Sequence, residues 1–291
     1  MLASRSLLGI IGLLLALLLI PGCSTVRLGY SQAPDLLYWW IDGYFNVNEA
    51  QTPRLRDELS RLHQWHRAKE LPRYTALLQK AQQMAPTEVS ADQVCALYEE
   101  MRGMAQSLIA RALEPAAALA LGLTPQQLEH LQRKFEKNNL EYSREFRSGS
   151  PDERLERRLK SARERVESSY GRLEEAQLSV LRGNLRQSAF DPLVNQKERL
   201  RRQRDLQSTL GQIIAQKSSA SEARTALAAY ADRSFISPDP AHRVYAEHAT
   251  LNACANVAKL HNSTTAAQRG TLIQWFNGYE LDLRSLLPAK S

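Results

Sequence analysis

The chain has little cysteine, glycine or proline for its size, and beyond residue 20 it has no long apolar run. Its 291 residues include only 3 Cys, 13 Gly and 12 Pro, which excludes a collagen-like or low-complexity chain and a disulfide-dense miniprotein. Aromatics make up 7% of it, and 38 Lys and Arg face 31 Asp and Glu, so the excess of one sign is mild. No stretch alternates apolar and polar residues with period two, so no strand is predicted. Nucleophile elbows, phosphate-cradling glycine loops and zinc-ligand spacings are missing too. Their absence argues against an enzyme, and no cofactor is predicted.

The one long apolar run is Leu7 to Ile20, 14 residues that follow Arg5 and precede Pro21-Gly22-Cys23. It falls short of the roughly 20 residues a spanning helix needs and reads as a secretory signal. Leu19-Ile20-Pro21-Gly22-Cys23 resembles the bacterial lipobox. The resemblance implies cleavage before Cys23, a diacylglycerol thioether on its sulfur and a fatty acyl chain, such as palmitate, on its freed amine. Two or three chains hold a protein on its membrane stably. By the sorting pattern of such lipoproteins, Ser24 in place of Asp implies the periplasmic side of the outer membrane. Residues 1–22 are then a leader, 23–34 a lipidated tether without periodicity, and 35–291 a single helical periplasmic domain with a possible subdomain break near 234–240. Fully extended, the tether reaches about 36 Å.

With Cys23 lipidated, Cys95 and Cys254 remain as an even pair in an oxidising compartment, which makes them a disulfide candidate. The alternative is two buried free thiols. Apolar residues keep helical spacing nearly throughout, as in Val94, Leu97, Met101, Met104 and Leu108, or Leu272, Phe276, Tyr279, Leu283 and Leu286. Capping boxes mark the helix starts at Ser90 and Gln93, Thr124 and Gln127, Ser150 and Glu153, Ser219 and Glu222, and Thr265 and Gln268. Pro115 is predicted to end or kink its helix. A helix of about 36 residues is predicted from Pro151 toward Pro192, packed antiparallel on the Gln126 to Arg147 helix. The fold class is therefore all-α, an elongated multi-helix bundle of antiparallel hairpins behind a cleaved signal peptide.

Few residues suggest chemistry. His63, His66 and Glu70 could share a helical face toward a metal, yet His66 also continues the apolar Leu55, Leu59, Leu62 stripe. The core reading is preferred and no metal site is predicted. Leu36-Leu37-Tyr38-Trp39-Trp40-Ile41, followed by Gly43, Tyr44 and Phe45, is the densest aromatic segment. It is read as core, with a membrane-interface belt as the alternative. From Glu129 to Glu175, 12 basic and 11 acidic residues interleave as a solvated surface, whereas Arg182 to Arg204 holds seven basic against two acidic. This basic segment is read mainly as solvated helix surface, with Lys197, Arg199, Arg201, Arg202 and Arg204 as the binding candidates toward an anionic envelope component or a protein partner. Nucleic acid is a poor partner for an exported chain.

The stretch Trp65-His66-Arg67-Ala68-Lys69-Glu70-Leu71-Pro72-Arg73-Tyr74, with the lipobox and Asn262-Ser263-Thr264-Thr265-Ala266-Ala267-Gln268-Arg269, resembles an uncharacterised family of proteobacterial lipoproteins. The resemblance implies a helical lipoprotein and brings no activity. Leu123-Thr124-Pro125-Gln126-Gln127 is similar to the LTxxQ motif of small periplasmic chaperones, although a capping box uses the same letters. The expected function is a non-catalytic, outer-membrane-anchored helical binding or scaffold module. Its alternatives are a chaperone-like binder of unfolded envelope proteins and a metal-dependent enzyme.

Overall fold

The computed structural model describes residues 25–287, so Cys23 and the lipobox-like segment before it lie outside the described residues. In chain order the helices are α1 (Thr25–Ser31), α2 (Ala33–Phe45), α3 (Thr52–Trp65), a π-turn (His66–Glu70), α4 (Leu71–Met84), α5 (Ala91–Ala120) and α6 (Pro125–Arg147). They continue as α7 (Pro151–Tyr170), α8 (Glu175–Arg186), α9 (Pro192–Ala215), α10 (Ala220–Phe235), α11 (Pro240–Asn262) and α12 (Ala266–Leu286). No strand occurs among the described residues. The fold is all-α, and all five expected capping boxes form.

Two further boxes escape the usual Ser/Thr signature. Asn48 and Gln51 exchange backbone-to-side-chain bonds ahead of α3. Gln177 Oε1 accepts the Glu174 N–H at the start of α8. These glutamines join the boxes in pairs. Gln177 Nε2 donates to Gln268 Oε1 at 2.7 Å, and Gln268 Nε2 donates back to Gln177 Oε1 at 2.9 Å. Gln127 and Gln51 exchange the same two bonds at 2.8 and 3.2 Å.

The second hydrogen of each amide goes to the carbonyl two residues before the partner's cap. Gln177 reaches Ser263, Gln268 reaches Arg172, Gln51 reaches Gly122 and Gln127 reaches Asn46. Each amide thereby uses both donors and both lone pairs. The first clasp locks the α2–α3 corner to the α5–α6 corner, and the second locks the α7–α8 corner to the α11–α12 corner. Leu55, Leu131, Leu181 and Leu272, each four residues past its clasp glutamine, are buried and anchor the four helices.

The clasps lie toward opposite ends of the longest helix. α5 runs antiparallel to α11, with Val89 bonded to Asn262 and Cys95 disulfide-bonded to Cys254. The 30 residues of α5 extend about 45 Å, and this pair separates the clasps and elongates the bundle. α12 lies antiparallel along α4, where Gln79 and Gln82 donate to Glu280. The largest core cluster sits beneath the first clasp and unites Ala117, Ala120, Leu123, Leu131, Leu210, Ile213, Ala223 and Leu227. Leu159, Leu173, Leu181 and Leu260 form its counterpart at the second.

Several expectations are corrected. The long helix from Pro151 breaks at Gly171, whose φ of +77° ends α7 so that the Glu174 box can start α8. The partner of α6 is α9, not the helix that follows it: Asn139 bonds Gln203 and Tyr142 bonds the Pro192 carbonyl. α5 continues through Pro115 to Ala120, because Leu113, Ala117 and Ala120 pack on both sides of the proline. The 23–34 tether reading fails from Thr25 onward. That segment is helical and docked, with Arg27 paired to Asp282 and Tyr30 Oη bonded to His66 Nδ1 at 2.9 Å.

Two outcomes are expected. Gln177→Ala or Gln268→Ala strands buried amide partners and lowers stability by about 2–3 kcal/mol, and the double variant loses little more than either single one. Gln177→Glu keeps the local box but loses both donors, so it too destabilises. Urea titration measures these losses. Cys95→Ala with Cys254→Ala opens a loop closed over a sequence separation of 159 and costs up to about 5 kcal/mol by the chain-entropy relation, read in the same titration.

Candidate functional site

α9 packs on α6 and α10, α11 packs on α5 and α8, and a groove of about 1190 Å³ remains between α9 and α11. Its aromatic lining comes from several elements: Trp40 and Tyr44 of α2, Phe135 and Tyr142 of α6, Tyr230 of α10 and Tyr245 of α11. The α11 wall is made of small residues, Ala246, Ala249 and Ala253, alternating with Asn252 and Asn256. Small side chains at three-to-four spacing keep this wall back from α9 and leave the space open. Tyr245 Oη holds the walls together at one point by accepting from the Asp191 N–H and from Asn195 Nδ2. His242 Nδ1, also in the lining, is shielded from solvent and has no hydrogen-bond partner.

Past Phe190 the groove meets a second hollow of about 960 Å³ that shares Arg165, Leu185 and Phe190 with it. Arg158 spreads its guanidinium over the Phe190 ring, 5.2 Å from the centroid. Burial pushes the Arg158 pKa down from its usual value. Arg165, seven residues on and therefore on the same face of α7, bonds only the Ser161 carbonyl of its own helix. Neither arginine has a carboxylate partner among the described residues.

The five basic candidates on α9 divide. Arg201 and Arg202 both bind the buried Glu198, and Arg201 also joins Asp205, which pairs with Arg233. Lys197 pairs with Asp239, while Arg199 bonds Asn139 Oδ1 and lies over the Tyr142 ring. Arg204 alone is exposed and has no partner among the described residues. Arg199 and Arg202 line the groove and the other three do not. Much of the basic run is therefore a structural network. It pins the 234–240 segment, because Ser237 is buried and donates to Glu198. Burial pushes the Glu198 carboxyl up, but bonds from Arg201, Arg202 and Ser237 outweigh it and hold the pKa at about 2.

The remaining candidates have local roles. Glu70 is buried and binds Arg73 through both oxygens, and His66 is committed to Tyr30. No group of three His, Cys, Asp or Glu side chains among the described residues is arranged to hold a metal ion. Pro72 falls in the first turn of α4, so the preceding π-turn absorbs the disturbance. The aromatic segment is core only in part. Tyr38 is buried against Leu55 and Leu59, whereas Trp39 and Trp40 are 62% and 61% exposed.

A family model matches residues 43–231, from just before the first clasp to the end region of α10. The chain belongs to DUF6279, a family of unknown function. No curated protein and no solved structure matches it. The DUF6279 span holds Gln51, Gln127 and Gln177, but the fourth clasp glutamine, Gln268, lies beyond it. Thr124 and Gln127, the letters of the LTxxQ-like motif, form a capping box and half of the first clasp. A sequence signal for the second clasp exists in the match of Leu173-Glu174-Glu175-Ala176-Gln177-Leu178-Ser179-Val180-Leu181 to Leu123-Thr124-Pro125-Gln126-Gln127-Leu128-Glu129-His130-Leu131. Arg158 and Arg165 carry no such signal, because they sit in a run of balanced charge.

Acid is expected to unfold the DUF6279 protein in two stages. Burial holds His63, His66 and His261 below the ordinary histidine pKa of 6.5. The unfolded chain takes up those protons first, so stability present above about pH 6.5 declines as pH falls. Glu198 titrates at 4.5 when unfolded and at about 2 when folded, so its contribution is lost between those values. Urea midpoints measured across this range should fall in both windows, and Glu198→Gln should flatten the lower one.

Proposed function

We propose that this protein is a non-catalytic binding module, held by acyl chains on Cys23 at the periplasmic face of the outer membrane, that takes an extended acidic polypeptide into the α9–α11 groove. The observation that carries the reading is the groove itself. Its aromatic rings offer flat apolar contact, and it leads to two guanidinium groups, Arg158 and Arg165, that no carboxylate among the described residues neutralises. A half-buried, unpaired arginine beside an aromatic ring favours a carboxylate that can dock with paired hydrogen bonds. Such a pair is stronger where water is partly excluded. The lipobox at Cys23 and the helical body that starts two residues later support the anchored location.

A chaperone-like role is the second reading, and the open length of the groove favours it. The two readings differ in selectivity, since a dedicated partner site rejects most unfolded chains. Neither reading requires bond making.

The probe is an unfolded, carboxymethylated polypeptide of net negative charge, titrated onto the purified protein at low salt. Binding is expected, and Arg158→Ala with Arg165→Ala should weaken it by about tenfold, with only the small fall in thermal midpoint that loss of the Arg158–Phe190 contact brings. Absence of binding, or equal binding by the double variant, overturns the groove assignment. If a neutral unfolded chain binds as tightly, the chaperone-like reading replaces the acidic-partner one.

A further inference from the structure

The structure assigns the outward face of α2 to the membrane surface: Leu36, Leu37, Trp39 and Trp40, continued by Leu28 of α1, seat the folded body against the lipid headgroups. This inference rests on the anchoring of Cys23.

The face follows from helical geometry. Leu36 and Trp40 are one turn apart, and Leu37 and Trp39 flank them. Tyr38, Ile41 and Phe45 project from the other side of α2 and pack inward, Tyr38 bonding Thr52 and Phe45 joining the core below the first clasp. The inward face of α2 is therefore satisfied, and a second apolar face points away from the protein. Leu28, Leu36, Trp39 and Trp40 are each more than half exposed. Leu140, Val244 and Leu281 are as exposed elsewhere on the surface, but a contiguous group that includes two indoles marks a contact site. Its chemistry is that of the bilayer interface, where indole rings settle at headgroup level and leucines reach the acyl boundary.

The occupant follows from where the chain goes. α1 begins at Thr25, two residues after Cys23, and α1 is docked on α12. Fifteen helical steps from Thr25 to Trp40 and at most two extended ones before them keep the exposed face within about 30 Å of the acylated residue. An anchor that close leaves the body little freedom to stand away from the lipid. The carboxylate at the edge of the face, Asp35, is paired with Arg56, which also covers the Tyr38 ring. No unpaired acid on the face opposes anionic headgroups.

The test uses the intact protein, reconstituted into vesicles of phosphatidylethanolamine and phosphatidylglycerol with brominated acyl chains, which quench nearby indoles. Trp39 and Trp40 are two of the 4 tryptophans, so about half of the emission should be lost. Trp39→Ser with Trp40→Ser, both exposed and outside the core, should leave the residual emission nearly unquenched. Equal fractional quenching of the two proteins overturns the assignment. So does no quenching of a protein whose N-terminal peptide carries the acyl mass.

If that peptide carries no acyl group, the anchoring reading fails by itself. The face is then tested by co-sedimentation of the same protein with the same lipids. Binding that the double variant loses supports the assignment, and no binding overturns it. A dimer in sedimentation velocity that the double variant dissolves would give the face to a second copy and overturn it as well.

Discussion

Four glutamine side chains govern how the helices of this protein meet. A helix begins with backbone N–H groups that have no partner inside the helix, and a corner between two helices gathers these with carbonyls that are equally unsatisfied. Gln51, Gln127, Gln177 and Gln268 answer both needs at once. The oxygen of each closes its own helix start, and its nitrogen closes the corner of another hairpin. Burial makes the arrangement demanding, since Gln127, Gln177 and Gln268 are all nearly inaccessible and an unpaired amide there is costly. The two corners of a clasp must therefore approach in one register. Local capping, which in most helices is worth about 1 kcal/mol, becomes here a tertiary contact between segments 76 and 91 residues apart.

The groove is a consequence of that arrangement. Each clasp gathers its own hydrophobic cluster, and α5 and α11, joined by their disulfide, separate the two. α9 belongs to the first cluster through Leu210 and Ile213, and α11 belongs to the second through Leu260. The middle stretches of these helices therefore face one another without a shared core. Electrostatics keeps the walls in place. Glu198, surrounded by Arg201, Arg202 and Ser237, holds the 234–240 segment against α9 and so sets where α11 begins.

How much of this was readable in the chain depends on the range of the cause. Helical periodicity and five capping boxes come from contacts within a turn, and both the all-α class and those helix starts follow from local sequence. The break at Gly171 was hidden because the apolar stripe runs through it, from Leu159 and Val166 to Leu173 and Val180, so spacing alone sees one helix. Pro115 does not end its helix, as tertiary packing of Leu113, Ala117 and Ala120 carries α5 through a strong local breaker. The clasps were half visible. Thr124 and Gln127 are legible as a box, but nothing local says that a glutamine three helices away completes its bonding. Composition groups Trp39 and Trp40 with Tyr38 and Phe45, whereas the helix phase separates the two sets. Charge count cannot distinguish Arg201 of the basic run on α9, enclosed by acids, from Arg158, which has none among the described residues.

The exposed face of α2 and the groove share a residue. Trp40 belongs to the outward face and also lines the groove, beside the Tyr44 ring 4.8 Å away. If α2 is the seat on the bilayer, this end of the groove opens at the lipid surface, and the hollow lined by Arg158, Arg165 and Phe190 lies past the α8–α9 connection. A chain entering from the membrane side meets aromatic rings first and cationic groups later. That order suits a segment whose apolar part remains near the lipid while its acidic part extends into the periplasm. The rigid corner between α2 and α3 then does more than terminate a helix. Through Gln51 and Gln127 it fixes the angle between α2 and α6, and α6 carries Phe135 and Tyr142 of the groove wall, so one hydrogen-bonded joint sets how the exposed face of α2 stands to the groove.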